Sequence, residues 1–164
     1  MTLPFSIRAF QPDEWQKLKA IRLEALQKES GKFGASFAKD NARTDDEWRD
    51  WIAGGQSGFF ALLHEDDIVG MTGVRLKTPD TASFIASYIR AEYRGHGASA
   101  LFYQARIDWA RAHGAKRAIT GHRKSNAPSK AANQKFGFVY LETTENVSWP
   151  DGTVEDHIVY ELEL

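Results

Sequence analysis

The chain has 164 residues, no cysteine and a formal net charge of −1 at pH 7. That length suits one domain over residues 1–164 with a single sizeable core, and the absence of cysteine excludes disulfides, thiolate metal sites and a cysteine nucleophile together. The near-neutral charge argues against a general nucleic-acid binder. No apolar run reaches the ~18 residues of a membrane span, and MTLPFSIRAF lacks the basic-then-apolar layout of a secretory leader, so a cytoplasmic location is expected.

Phe5 to Ala9 reads as a short strand. Pro12, followed by Asp13 and Glu14, opens a helix with an apolar stripe at Trp15, Leu18, Ile21 and Ala25, ended by Gly31. Lys32 to Arg43 is polar and irregular. Thr44-Asp45-Asp46-Glu47 has capping-box spacing before a short helix that buries Trp48, Trp51 and Ile52. Phe59 to Leu63 and Ile68 to Leu76 flank the acidic turn Glu65-Asp66-Asp67, and Thr78-Pro79-Asp80 leads into a strand over Ala82 to Ile89. Strands joined this tightly are antiparallel neighbours.

Arg94 to Ser99, RGHGAS, is a glycine turn running into a long helix with apolar positions at Ala98, Leu101, Phe102, Ala105, Trp109 and Ala112. Gly95 and Gly97 admit backbone conformations closed to residues with a Cβ. Unpaired N–H groups and the positive end of a helix dipole then meet whatever lies above, which is a setting for phosphate; a tight connection with nothing bound uses the same residues. No GK[ST] follows, and GxGxxG is absent. Arg117 to His122 is a strand made parallel to its predecessor by the helical connection. Ala127 to Phe136 is a helix, and Phe138 to Asn146 and Thr153 to Leu164 are strands around Trp149-Pro150-Asp151-Gly152. Between Arg111 and Lys135 basic residues occur without any Asp or Glu, a solvated face or a lure for a polyanion. The order β-α-α-β-β-β-α-β-α-β-β is α+β: a mixed sheet covered by helices.

Ile89-Arg90-Ala91-Glu92-Tyr93-Arg94-Gly95-His96-Gly97 resembles the strand and pyrophosphate loop (Q/R-x-x-G-x-G/A) of the GNAT family of N-acetyltransferases. Asn126-Ala127-Pro128-Ser129 through Lys135-Phe136-Gly137-Phe138 resembles that family's N-x-x-A…K-x-G-F segment. The resemblance implies a three-layer α/β/α arrangement. Its mostly antiparallel sheet has about seven strands and a splay between two central parallel ones. It implies acetyl-CoA as cosubstrate and no metal. The amides of Arg94, Gly95, His96, Gly97, Ala98 and Ser99 would hold the pyrophosphate, while Tyr88 and Ile89 pair with the pantetheine arm. Asn126 would bond that arm, and Arg94 with the basic run would meet the 3′-phosphate. Two positions depart from the pattern. Ser99 stands where Gly or Ala is usual, and Asn133 where many members carry the tyrosine that protonates the leaving thiolate. An asparagine beside the cofactor can only hydrogen-bond that thiolate.

Acetyl transfer needs a neutral amine, a polarised carbonyl and a released thiolate. His122, at the end of its strand, is the first candidate for the base because an ordinary imidazole titrates near pH ~6.5. Ser87 and Tyr88 sit at the splay, and strand alternation turns one of them toward the acceptor. Glu92 reads as a solvated turn residue and Glu24 as part of a charged helix face. Lys32 to Arg43, the Trp48/Trp51 helix and the Trp149 hairpin would wall the acceptor side. The expected acceptor is a small primary amine, with a protein N-terminus or lysine as the other choice. An acyl-CoA sensor without turnover is the second reading and a nucleic-acid or protein-interaction face the third. A homodimer through the terminal strands is compatible with the sequence.

Overall fold

The computed structural model describes residues 4–164. Its elements are β1 (Phe5–Ala9), α1 (Trp15–Lys28), α2 (Phe37–Asn41), α3 (Asp45–Ala53), β2 (Ser57–His64), β3 (Asp67–Thr78), β4 (Thr81–Ile89), α4 (Ser99–Ala112), β5 (Arg117–Arg123), α5 (Ala127–Lys135), β6 (Val139–Ser148) and β7 (Val154–Glu163). The strands form one seven-stranded sheet in the order β1-β2-β3-β4-β5-β7-β6. Among the described residues only the β4–β5 pair is parallel, as a helical connection requires. The mixed α+β sheet with helices on both faces is the one expected.

Each face has its own core. Leu18, Ile21 and Ala25 of α1 pack with Phe59, Ala61, Met71 and Tyr88 on one side, where Trp51 and Ile52 of α3 join them. On the other, Phe102 packs with Leu62 and Val69, and Tyr103 and Ala110 pack with Val74, Ala82, Phe84, Phe138 and Tyr160. The Thr44 box closes as its spacing requires. Thr44 Oγ1 accepts from the Glu47 amide at 3.2 Å, and Glu47 Oε2 accepts from the Thr44 amide at 2.7 Å. Trp48 is fully buried and belongs to the core rather than to an acceptor wall.

Two features differ from expectation. The Lys32–Arg43 stretch contains α2, a helix too short for apolar periodicity to register. Ser36 caps it, and a buried carboxylate anchors it: Asp40 accepts from Arg22 Nε at 3.1 Å and from Arg43 Nε at 3.2 Å. The C-terminal strand β7 is interior, between β5 and β6, so the sheet edges are β1 and β6. Edge pairing of two copies through β7 is therefore excluded by topology.

The feature that positions the site is a split in the sheet. β4 and β5 pair only at Thr81–Arg117, Ala82–Ala118 and Ser83–Ile119. Just beyond, Ala86 and Ser87 together oppose Thr72 of β3, a bulge in which Ala86 takes the left-handed conformation at φ 58°. An extra residue bends a strand away from its neighbour. β5 continues along β7 as far as Arg123, and the two central strands part.

Candidate active site

The split opens a cleft of about 320 Å³. Phe84 to Ile89 of β4 form one wall and Thr120 and Gly121 of β5 the other. α4 contributes Ser99, Tyr103 and Arg106, α5 contributes Asn133 and its N-cap Asn126, and Phe33 comes from the α1–α2 connection. At its mouth the RGHGAS turn enters α4 with Gly95 at φ 78° and Gly97 at φ 83°, conformations that explain both glycines. Among the described residues, no main-chain or side-chain acceptor takes the amides of Gly95, His96, Gly97, Ala98 or Ser99. The Arg94 amide, expected to join them, donates instead to the Ala91 carbonyl at 3.2 Å. The result is a row of free N–H groups at a helix N-terminus beside a cleft, a fit for a diphosphate.

Strand alternation around the bulge separates Ser87 from Tyr88. Tyr88 points toward α1 and donates its hydroxyl to Glu24 at 2.9 Å. Burial first, then the bond to Glu24, pushes its phenol up to about 12. Glu24 is not a free surface charge: Arg90 grips it at 2.9–3.2 Å. Burial favours its neutral form, but the bonds from Arg90 and Tyr88 outweigh that and hold the carboxyl below its usual range. Ser87 turns the other way, accepting from Arg106 Nη1 at 2.9 Å and sharing a 2.7 Å bond with Thr72. It therefore faces α4, not the side walled by the α1–α2 connection.

Arg94 lines the cleft, but its guanidinium donates to the Ile89 carbonyl at 2.7 Å and to Glu29 at 2.5 Å. It clamps the loop to α1 rather than reaching outward. Asn126 caps α5, its Oδ1 accepting from the Ser129 amide at 3.3 Å. Asn133 is buried and its Oδ1 accepts from the Tyr103 hydroxyl. His96 is half-buried in the turn. The basic run is not one patch. Arg123 is 2% exposed and bonds Asp151 at 2.7 Å and the Phe33 carbonyl at 3.1 Å, tying β5 to both acceptor-side loops, and Arg117 pairs with Glu161.

His122, expected as the base, does not line the cleft. It follows Gly121, so its side chain leaves the opposite face, where it stacks on Tyr160 with centroids 5.4 Å apart. Its Nδ1 donates to the Arg123 carbonyl at 2.6 Å, and Nε2 is buried without a partner. A second imidazole, that of His157, does not line the cleft either, but it lies over the wall residue Gly121, where any Cβ would collide with the ring, and packs edge-on to Trp149 at 5.5 Å. Burial, then the nearness of His122, holds its pKa below the ordinary imidazole value. Sequence reasoning missed His157, Tyr103 and Arg106. The first needs the β5–β7 register, and the other two lie on a face of α4 that the apolar stripe does not mark.

The family described as Acetyltransferase (GNAT) family has a model that matches residues 16–138 of this chain. The chain belongs to that family. Mycothiol acetyltransferase of Corynebacterium glutamicum (strain R) is 28% identical over 112 residues, which are 68% of this chain and 33% of that protein. The chain thus spans about a third of the length of the curated relatives it matches. Among solved structures, an acetyltransferase of the GNAT family from Streptococcus pneumoniae superposes with a TM-score of 0.80 at 18% identity, covering 98% of this chain and 100% of that one. A putative acetyltransferase from Salmonella typhimurium, solved with its cofactor acetyl-CoA, gives 0.82 at 16% identity over 98% and 94%. An N-acetyltransferase from Staphylococcus aureus Mu50 gives 0.79 at 23% identity, covering 98% of both chains. At such identities the likeness establishes the fold.

Proposed function

We propose that this chain transfers an acetyl group from acetyl-CoA to a primary amine of a small molecule by direct attack. The observation that carries the reading is the row of unpartnered amides from Gly95 to Ser99 at the mouth of the β4–β5 split. Acetyl-CoA held there supplies the acetyl group as a thioester. Residues 95–99 bind the diphosphate, and the β5-facing side of β4 beyond Ser83, no longer paired with β5, offers peptide groups to the amide-bearing arm, as an unpaired strand edge does for any extended partner.

His157 Nε2, neutral at pH 7, takes the proton from the acceptor amine as nitrogen bonds to the carbonyl carbon. A β4 amide polarises the carbonyl oxygen. As the carbon–sulfur bond breaks, the Tyr103 hydroxyl, held against Asn133 on the cleft floor, delivers a proton to the thiolate. Burial raises the Tyr103 pKa, so the proton to be given is in place at neutral pH.

The test is thiol release from acetyl-CoA across a set of primary amines, followed with Ellman's reagent. Release that depends on the amine is the expected result. Tight binding of acetyl-CoA with no amine-dependent release would leave a sensor and overturn the catalytic reading.

A further inference from the structure

Arginines 22, 106 and 123 are all buried, at 7%, 4% and 2% exposure. Arg22 is neutralised by Asp40 at 3.1 Å and Arg123 by Asp151 at 2.7 Å. For Arg106 no carboxylate partner exists among the described residues. Its Nε donates to the Phe102 carbonyl at 3.1 Å and its Nη1 to the Ser87 hydroxyl at 2.9 Å, both uncharged. The guanidinium otherwise lies over the rings of Phe84 and Tyr103, 4.3 and 4.8 Å from their centroids. Burial pulls its pKa down to about 10, so it remains a cation at neutral pH. Of the three, only Arg106 lines the cleft.

An unpaired buried charge is costly, and Arg106 borders a cleft open to a ligand that would pair it. A planar guanidinium suits a carboxylate in particular, because its donors match the two oxygens. We propose that Arg106 is the seat of a carboxylate carried by one of the substrates, so that the protein accepts an acyl donor or an acceptor bearing that group.

The side of the sheet favours the donor. Arg106 and the Ser87 hydroxyl share the α4 side with Asn133, whereas the opposite wall already holds Glu24 and Glu29 in its own ion pairs. An acyl chain ending in a carboxylate, the half-thioester of a short dicarboxylic acid, places its charge on that side. The inference rests on the thioester lying in the split, as proposed above.

The experiment titrates the full chain with CoA, butyryl-CoA and succinyl-CoA by calorimetry. In a second arm, kcat/KM with acetyl-CoA is compared for phenethylamine and L-phenylalanine, which differ by a carboxylate. Succinyl-CoA binding at least about tenfold tighter than butyryl-CoA assigns the carboxylate to the donor. A similar preference for L-phenylalanine assigns it to the acceptor. Either preference should vanish in Arg106→Gln and survive in part in Arg106→Lys; where a variant fails to fold, the wild-type arms decide. Parity in both arms while CoA itself binds overturns the inference and leaves the CoA site standing. Failure of CoA to bind refutes that site and the inference together.

Discussion

His157 lies over Gly121 of the cleft wall and His122 stacks on Tyr160 on the other face of the strand, and that placement separates the two as candidate bases. The groups acting on His157 are its desolvated surroundings and His122, which lower its pKa, and Glu142, which raises it. The net folded-state pKa is below the ordinary value near ~6.5. As pH falls below that value the unfolded chain takes up the proton first, so stability declines on acidification through the interval down to the folded pKa. The acid limb of kcat/KM should therefore have its midpoint below about 6.5. His157→Gln should slow turnover by about 10²–10⁴-fold and remove that limb, with CoA affinity unchanged. A limb that persists in the variant would assign the base elsewhere. Tyr103→Phe should lower kcat by about 10²-fold without weakening CoA, since the ring and its stack on Phe136 at 4.2 Å remain. The glycines at 95 and 97 were legible because positive φ leaves few alternatives. His157 was not, because its place over Gly121 comes from a pairing between strands more than thirty positions apart.

At the scale of the element, α4 and α2 show where sequence periodicity stops. The stripe of Ala98, Leu101, Phe102, Ala105, Trp109 and Ala112 identifies a helix, yet the buried face holds Tyr103, Arg106 and Ala110 with Phe102. That face is turned by about one residue, roughly 100°. Tyr103 and Arg106 carry polar tips that keep them out of an apolar stripe, although their ring and stem pack inward. For α2, an anchoring carboxylate replaces an apolar stripe. Asp40→Ala leaves Arg22 as an uncompensated buried cation, and the expected cost is about 3–5 kcal/mol. Urea denaturation measures it, and a change under about 1 kcal/mol would show that Asp40 does not hold this helix. The Thr44 box, by contrast, was fully readable because it is local. Thr44→Ala should cost only about 1 kcal/mol.

Over the whole molecule, strand number and the parallel pair followed from element order and one helical crossover, and the three layers and the split between central strands from the family resemblance. The depth of the split did not, because it depends on the Ala86 bulge, and nothing local in FIAS announces a left-handed alanine. Residues strained in this way cluster at ligand sites, where surrounding structure holds them. A ligand that fills the split should stabilise the fold by mass action, by about 2.7 kcal/mol at a hundred times its dissociation constant. The most direct measurement is a calorimetric titration of CoA into the wild-type chain and into Gly97→Glu, which sets bulk and negative charge in the phosphate seat. Saturable 1:1 binding to the wild type and none to a folded Gly97→Glu is the predicted result. Equal affinity in the two proteins would contradict the account.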